Sequence, residues 1–298
     1  MNRTPEGRTY AAFALATVIG GANFIAVSVS NRELPPFFGA TLRFAFATLL
    51  FLAIARARHM PVARGRDAVG AVLYGLLGVG AAYAFLYHAL VSLHAGTVAV
   101  IVASVPLFTL AIAVLTRQER LSLTRGAGGL LAIAGIAVLR GFGGELLLSS
   151  FIAAVLGAVA LAASAVVAKA HPHVPPLTMN AYGTAAGTLL LAVGSLLLGE
   201  AWALPRERTT WTAVGWLVGA GSVGLFQLWL FVITQWTASA TVYALTGMPA
   251  VAAILGVVLL GQPITLGIVA GGILVVAAVY VGAIRTPRVT GMLPSTET

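Results

Sequence analysis

Gly96–Leu139 reads GTVAVIVASVPLFTLAIAVLTRQERLSLTRGAGGLLAIAGIAVL, and Ser239–Val281 reads SATVYALTGMPAVAAILGVVLLGQPITLGIVAGGILVVAAVYV. Laying Pro106 on Pro249 brings Glu119 onto Gln262, Ser122 onto Thr265, Gly128 onto Gly271 and Gly129 onto Gly272 without a gap. Each copy is an apolar run with a proline near its middle, a polar break, and a second apolar run holding a Gly-Gly pair. An internal duplication explains the correspondence.

Working outward, the composition is 59% hydrophobic and only 8% charged over 298 residues, against about 25% charged in a soluble globular chain. So few charges cannot coat a water-facing surface. Apolar runs recur along the whole length at roughly 20 residues each, the number needed to cross about 30 Å of hydrocarbon. They lack the alternation in roughly ten-residue blocks that an outer-membrane barrel needs. The chain is therefore read as an all-α, polytopic membrane protein. Its net charge of +9 sits in short loops, where it orients helices rather than binding nucleic acid. With no cysteine, disulfides and thiol chemistry are excluded.

Ten spans are expected, at about 9–30, 35–55, 68–90, 96–116, 122–140, 150–168, 176–198, 211–234, 239–260 and 264–284. The first is too long for a cleaved signal peptide, whose apolar region runs about 7 to 15 residues. The connections are too short for a soluble domain, and the tail after Arg285 reads as disordered. An even count puts both termini on one side. Twelve of the Lys and Arg residues then fall on the termini side and four on the other, which favours cytoplasmic termini.

Five spans per copy is an odd number, so the second copy must enter the membrane upside down. Pro35-Pro36 at the start of span 2 matches Pro175-Pro176 at the start of span 7, extending the repeat. The expected organisation is a cytoplasmic tail over 1–8, a first five-helix repeat over 9–142, an inverted second repeat over 143–284 and a tail over 285–298. Inverted repeats place a site near the midplane between the halves, and rocking one half against the other exposes it to each side in turn.

IGGANFIAVSVS in span 1, LPPFFGATLRFAFATLLFLA in span 2, and SVPLFTLAIAVLTRQERLS followed by GGLLAIAGIAVL resemble the EamA-type repeat of the drug/metabolite transporter superfamily. The resemblance covers about residues 9 to 284. The second half departs from the pattern at Gln262, where the repeat usually has Glu, and at Gly183, where the first half has Arg43. The resemblance implies helices 1, 3, 4, 6, 8 and 9 around a central cavity and helices 5 and 10 at the periphery. It also implies export of small metabolites from the bacterial cytoplasm, nearest to exporters of amino acids, including aromatic ones.

On that basis the substrate-binding candidates are Asn23, Tyr83, Tyr87, His88, Ser104, Ser164, Gln227 and Thr246, with Pro106 and Pro249 as hinges. Tyr83 and Tyr87, four apart, share a helical face; two phenols beside the imidazole of His88 could stack on a ring or bond an amino or carboxyl group. An interfacial aromatic belt is the competing explanation. Gln227 is an amide that needs partners in hydrocarbon, while Asn23 and Ser164 lie near each other's repeat positions and either face the cavity or pack helices. Ser104 and Thr246 stand just before prolines that free backbone carbonyls about one turn earlier. Arg43 lies roughly 12 Å into span 2, where a charge costs several kcal/mol unless paired or wetted. Because span 2 is not among the cavity helices that the resemblance implies, a structural role is favoured for it.

All eight acidic residues fall in loops, tails or span ends, so no buried carboxylate is available for a proton relay. There is no HExxH, GxxxxGK or G-x-S-x-G, which removes the residues of common hydrolase and ATP-driven chemistry. The expected protein is a secondary transporter, not an enzyme, in the bacterial inner membrane, needing no cofactor or metal and acting as a monomer on small molecules. The alternative is a polytopic membrane enzyme or lipid-handling protein, whose site would be a lateral groove lined by His88 and Arg43.

Overall fold

The computed structural model describes residues 7–116, 123–142, 147–228 and 238–281, with the backbone alone for 123–126, 132, 139–142, 238–246 and 279. The described residues form ten helices and no strand: α1 (Gly7–Ser30), α2 (Pro36–Ala57), α3 (Gly65–Ser92), α4 (Ala95–Leu115), α5 (Leu123–Phe142), α6 (Leu148–Ala170), α7 (Pro176–Leu197), α8 (Arg208–Leu228), α9 (Ala238–Leu260) and α10 (Leu266–Val279). Helix is dictated by the solvent, because hydrocarbon offers backbone groups no partner outside the segment. The start of each helix falls within three residues of the start expected from hydropathy. The tails expected at 1–8 and 285–298 lie outside the described residues, apart from Gly7 and Arg8 in α1.

The duplication is written into the helix ends. α2 and α7 both open on a Pro-Pro pair, with the second proline in the first turn, where its missing N–H costs nothing. Both close in the same way. Met60 N donates to Ala55 O and His59 N to Arg56 O, while Glu200 N donates to Ser195 O and Gly199 N to Leu196 O. Each is a Schellman cap, which needs a left-handed residue after the helix. Gly199 supplies it at φ 67°, and His59 at φ 49°.

The repeats interlock rather than sit side by side. α2 lies along α7, α5 along α10, and α1 and α4 both along α9, while α3 packs into α6 and α7 and α8 into α1 and α2. Small residues permit the closest approaches: a Cβ on Gly75 would stand 1.9 Å from the carbonyl oxygen of Gly183, and one on Gly20 would stand 2.2 Å from the Met248 side chain. Glycine at 183 thus lets α3 and α7 touch backbone to backbone.

Two loop carboxylates close the side opposite the termini. Glu200 accepts from the N–H groups of Phe37 (3.2 Å) and Phe38 (2.7 Å) in the first turn of α2, and from the Ser195 hydroxyl (2.7 Å). Glu33, after α1, accepts from the backbone N–H groups of Arg206 and Glu207. The Arg206 N–H is the main reason that the Glu33 carboxyl is held below the ordinary value of 4.5.

Candidate functional site

The π-helical segments Leu76–Ala81 in α3 and Gly219–Gly224 in α8 are related by the same 143-residue shift that lays Pro106 on Pro249. A π segment widens one turn and shifts the backbone hydrogen bonds. In α8 the carbonyl of Gly221 accepts from Asn23 Nδ2 (3.1 Å) and from Arg43 Nη2 (3.1 Å), and Arg43 Nε donates to Ser222 Oγ (3.1 Å). The Ser222 hydroxyl in turn donates to Leu217 O. In α3 the equivalent glycine, Gly78, faces Ser164 of α6, whose Oγ would lie 2.6 Å from a Cβ there. A small polar residue of the other repeat thus meets each π segment, Asn23 by a hydrogen bond and Ser164 by packing on Gly78.

Between the halves lies a cavity of about 270 Å³, just below the roughly 300–1,000 Å³ usual for small-molecule sites. Asn23 and Phe24 of α1, Arg43 of α2, Tyr83 and Tyr87 of α3 and Phe226 of α8 stand in its wall. Val102 and Val105 of α4, Leu161 of α6 and Met248 of α9 complete an otherwise aliphatic lining. α2 thereby joins the cavity helices, which the resemblance alone did not lead one to expect.

Arg43 is 1% exposed. Its guanidinium carbon sits 4.7 Å from the Phe44 ring centroid and 5.0 Å from that of Tyr83, and those rings meet edge to face at 4.6 Å. A guanidinium so placed has about 0.5–2 kcal/mol from each ring and about 1.5–3 kcal/mol from each charged hydrogen bond to offset its burial. Among the described residues no acidic side chain compensates the charge. Among the described residues Glu33, Glu200 and Glu207 lie in loops and Asp67 in the first turn of α3.

Tyr87 is fully buried, and its hydroxyl lies beside the Arg43 guanidinium with no acceptor for its O–H, an arrangement that costs about 1–3 kcal/mol unless something else fills it. Its backbone carbonyl accepts from Asn31 Nδ2 at 2.7 Å. Beyond this contact a second, polar depression of about 310 Å³ opens on the side away from the termini, lined by Ser28, Asn31, Arg32, His94 and Gln262. Leu90 lines both spaces. Gln262, the residue in place of the repeat's acid, accepts from the Ala95 N–H at 3.1 Å and so caps α4.

The structure brings Asn23, Tyr83 and Tyr87 together and leaves His88, Ser104, Ser164 and Gln227 out of the cavity lining. The Asn23 amide spans α1 and α8, since its Oδ1 also accepts from Trp216 Nε1 at 3.2 Å. Ser104 donates to Ile101 O at 2.5 Å in the break between the two segments of α4, and Ser164 donates to Leu161 O at 2.7 Å. His88 is exposed on the far face of α3, and Gln227 is half-buried in α8 outside the lining. Pro106 opens the second segment of α4, whereas α9 runs through Pro249. The Thr246 side chain lies outside the described residues. Because His88 and Arg43 point to different places, they form no lateral groove together. Sequence reasoning set Arg43 aside although a charge inside a span was the strongest single signal available.

The EamA-like transporter family model matches residues 8–141 and 148–283. The chain belongs to the EamA-like transporter family. Its two matched units are the two inverted five-helix repeats of an all-α membrane transporter, which is not an enzyme. An uncharacterized inner membrane transporter of Escherichia coli (strain K12), YedA, is 29% identical over 91% of this chain and 89% of its own length. A probable amino-acid metabolite efflux pump of Salmonella typhimurium (strain LT2) is 25% identical over 93% of this chain and 97% of its own. A protein of known crystal structure shares the fold, with a TM-score of 0.66 at 22% identity over 93% of this chain and 96% of that one.

Proposed function

We propose that this EamA-family transporter exports small metabolites, amino acids with neutral and aromatic side chains foremost, across the bacterial inner membrane by alternating access, with both termini in the cytoplasm. The observation that carries the reading is the cavity at the seam of the repeats, where Tyr83, Tyr87, Asn23 and Arg43 interrupt an apolar wall. A site of that kind suits a small solute with one polar end and one apolar end. The excess of basic residues on the termini side supports the orientation, and the efflux pump of Salmonella typhimurium supports the substrate class by similarity.

The test is efflux from proteoliposomes loaded in turn with labelled amino acids, cationic drugs and sugars. Amino acids are expected to leave faster than from empty-membrane controls. Tyr83→Ala, in the wall, is expected to slow that efflux more than Gln227→Ala, outside it. Movement of sugars or cationic drugs alone would overturn the substrate class.

A further inference from the structure

Arg43 and Tyr87 have something in common beyond the cavity they share. Among the described residues no carboxylate reaches the first, a buried cation, and no acceptor reaches the hydroxyl of the second, which lies beside the Arg43 guanidinium. A guanidinium carries more N–H donors than the two bonds to Ser222 and Gly221 use. Both groups therefore call for an acceptor, and a negatively charged one answers the uncompensated charge as well. The rest of the wall, including Phe24, Leu86, Val105, Phe226 and Met248, offers only apolar contact.

A ligand with an ammonium group meets a different situation. Among the described residues no acidic side chain lines the cavity, Asp67 in the first turn of α3 being the one acid within a helix, and the Asn23 oxygen already accepts from Trp216. Desolvating an ammonium beside a buried guanidinium, with no acid to receive it, is unfavourable. A carboxylate has a charged partner here, and a cationic group has only the ring faces of the wall.

We propose that the cavity recognises an apolar carboxylate, held by Arg43 and the Tyr87 hydroxyl, and that an α-ammonium group is tolerated rather than read. This rests on the cavity being the transport site, and it narrows the substrate class from amino acids in general to carboxylic acids with an apolar body, the desamino acids included.

The unmodified chain in proteoliposomes decides the point with four labelled solutes that share one ring: 3-phenylpropionate, phenylalanine, phenylalaninamide and phenethylamine. The two carboxylates are expected to bind and move, with 3-phenylpropionate at least equal to phenylalanine, and the amide and amine to bind at least about tenfold more weakly. Arg43→Gln should weaken both carboxylates about tenfold or more, with Arg43→Lys recovering part. Tyr87→Phe should weaken them several-fold without lowering the melting temperature. If the amine or amide moves as well as the acids, the carboxylate assignment falls while the transport reading stands. If none of the four moves or binds, both fall. Because the solute series uses the unmodified protein, it remains decisive should the Arg43 variants fail to fold.

Discussion

The Nη2 of Arg43 lies 3.1 Å from the carbonyl oxygen of Gly221, so that α2 of the first repeat is tied to the π segment of α8 in the second. The repeat partner of Arg43, counted from the Pro-Pro pairs, is Gly183, and its carbonyl oxygen abuts Gly75 at the edge of the α3 π segment. One position thus carries a long cation where the helices stand apart and no side chain where they touch. The inverted halves are alike in path and different in chemistry, and the difference places a single charge in the shared cavity.

Gly75→Ala should be costly. Its Cβ would meet backbone rather than a movable side chain, and overpacking of that kind costs about 1–3 kcal/mol or more. Gly129→Ala, with open space around it, should be neutral or slightly stabilising. Thermal unfolding in detergent compares the two, and equal melting temperatures would contradict the backbone contact between α3 and α7.

His59→Gly should stabilise the protein by roughly 1 kcal/mol. The position is left-handed at φ 49°, and glycine already stands at its repeat equivalent, Gly199. The reciprocal change, Gly199→His, should destabilise by a similar amount. Denaturant or thermal unfolding of the pair gives both signs.

Glu200→Ala removes the acceptor shared by Phe37 N, Phe38 N and Ser195 Oγ. Loss of such a cap costs about 0.5–2 kcal/mol. Fluorescence of Trp202, whose Nε1 donates to Ser195 Oγ and whose ring lies 5.1 Å from Phe38, should report the local loosening before global unfolding does.

Glu33 sets a pH dependence of definite sign. Its folded value is depressed by the Arg206 backbone N–H below the ordinary 4.5. The stabilisation is therefore complete above about pH 4.5 and is lost as pH falls through the lower folded value. Glu33→Gln should flatten this acid limb in a melting-temperature profile by slightly lowering the neutral-pH plateau toward the acid value.

Hydropathy and the odd number of spans per repeat made the helices and their inversion legible, because in hydrocarbon the apolar run and the helix are the same fact. The Pro-Pro pairs marked true helix starts for the same local reason. The π segments were not legible: LLGVGA in α3 and GAGSVG in α8 differ in letters, and the residues that meet them, Asn23, Arg43 and Ser164, arrive from the other repeat. Tyr83 and Tyr87 stood out by spacing. His88 shared their neighbourhood in sequence but sits one residue around the helix, on the exposed side. Arg43 was visible as a charge, and only the packing of α2 against α8 turned it toward the cavity.

The most direct test of the central claim uses the chain's lack of cysteine. Phe24→Cys places one thiol in the cavity wall, to be labelled in oriented proteoliposomes with a membrane-impermeant thiol reagent added to one side at a time. Labelling from either side, slowed by transported solute, is the predicted result. A thiol reached from one side only, or from neither, would contradict a cavity that opens alternately to both.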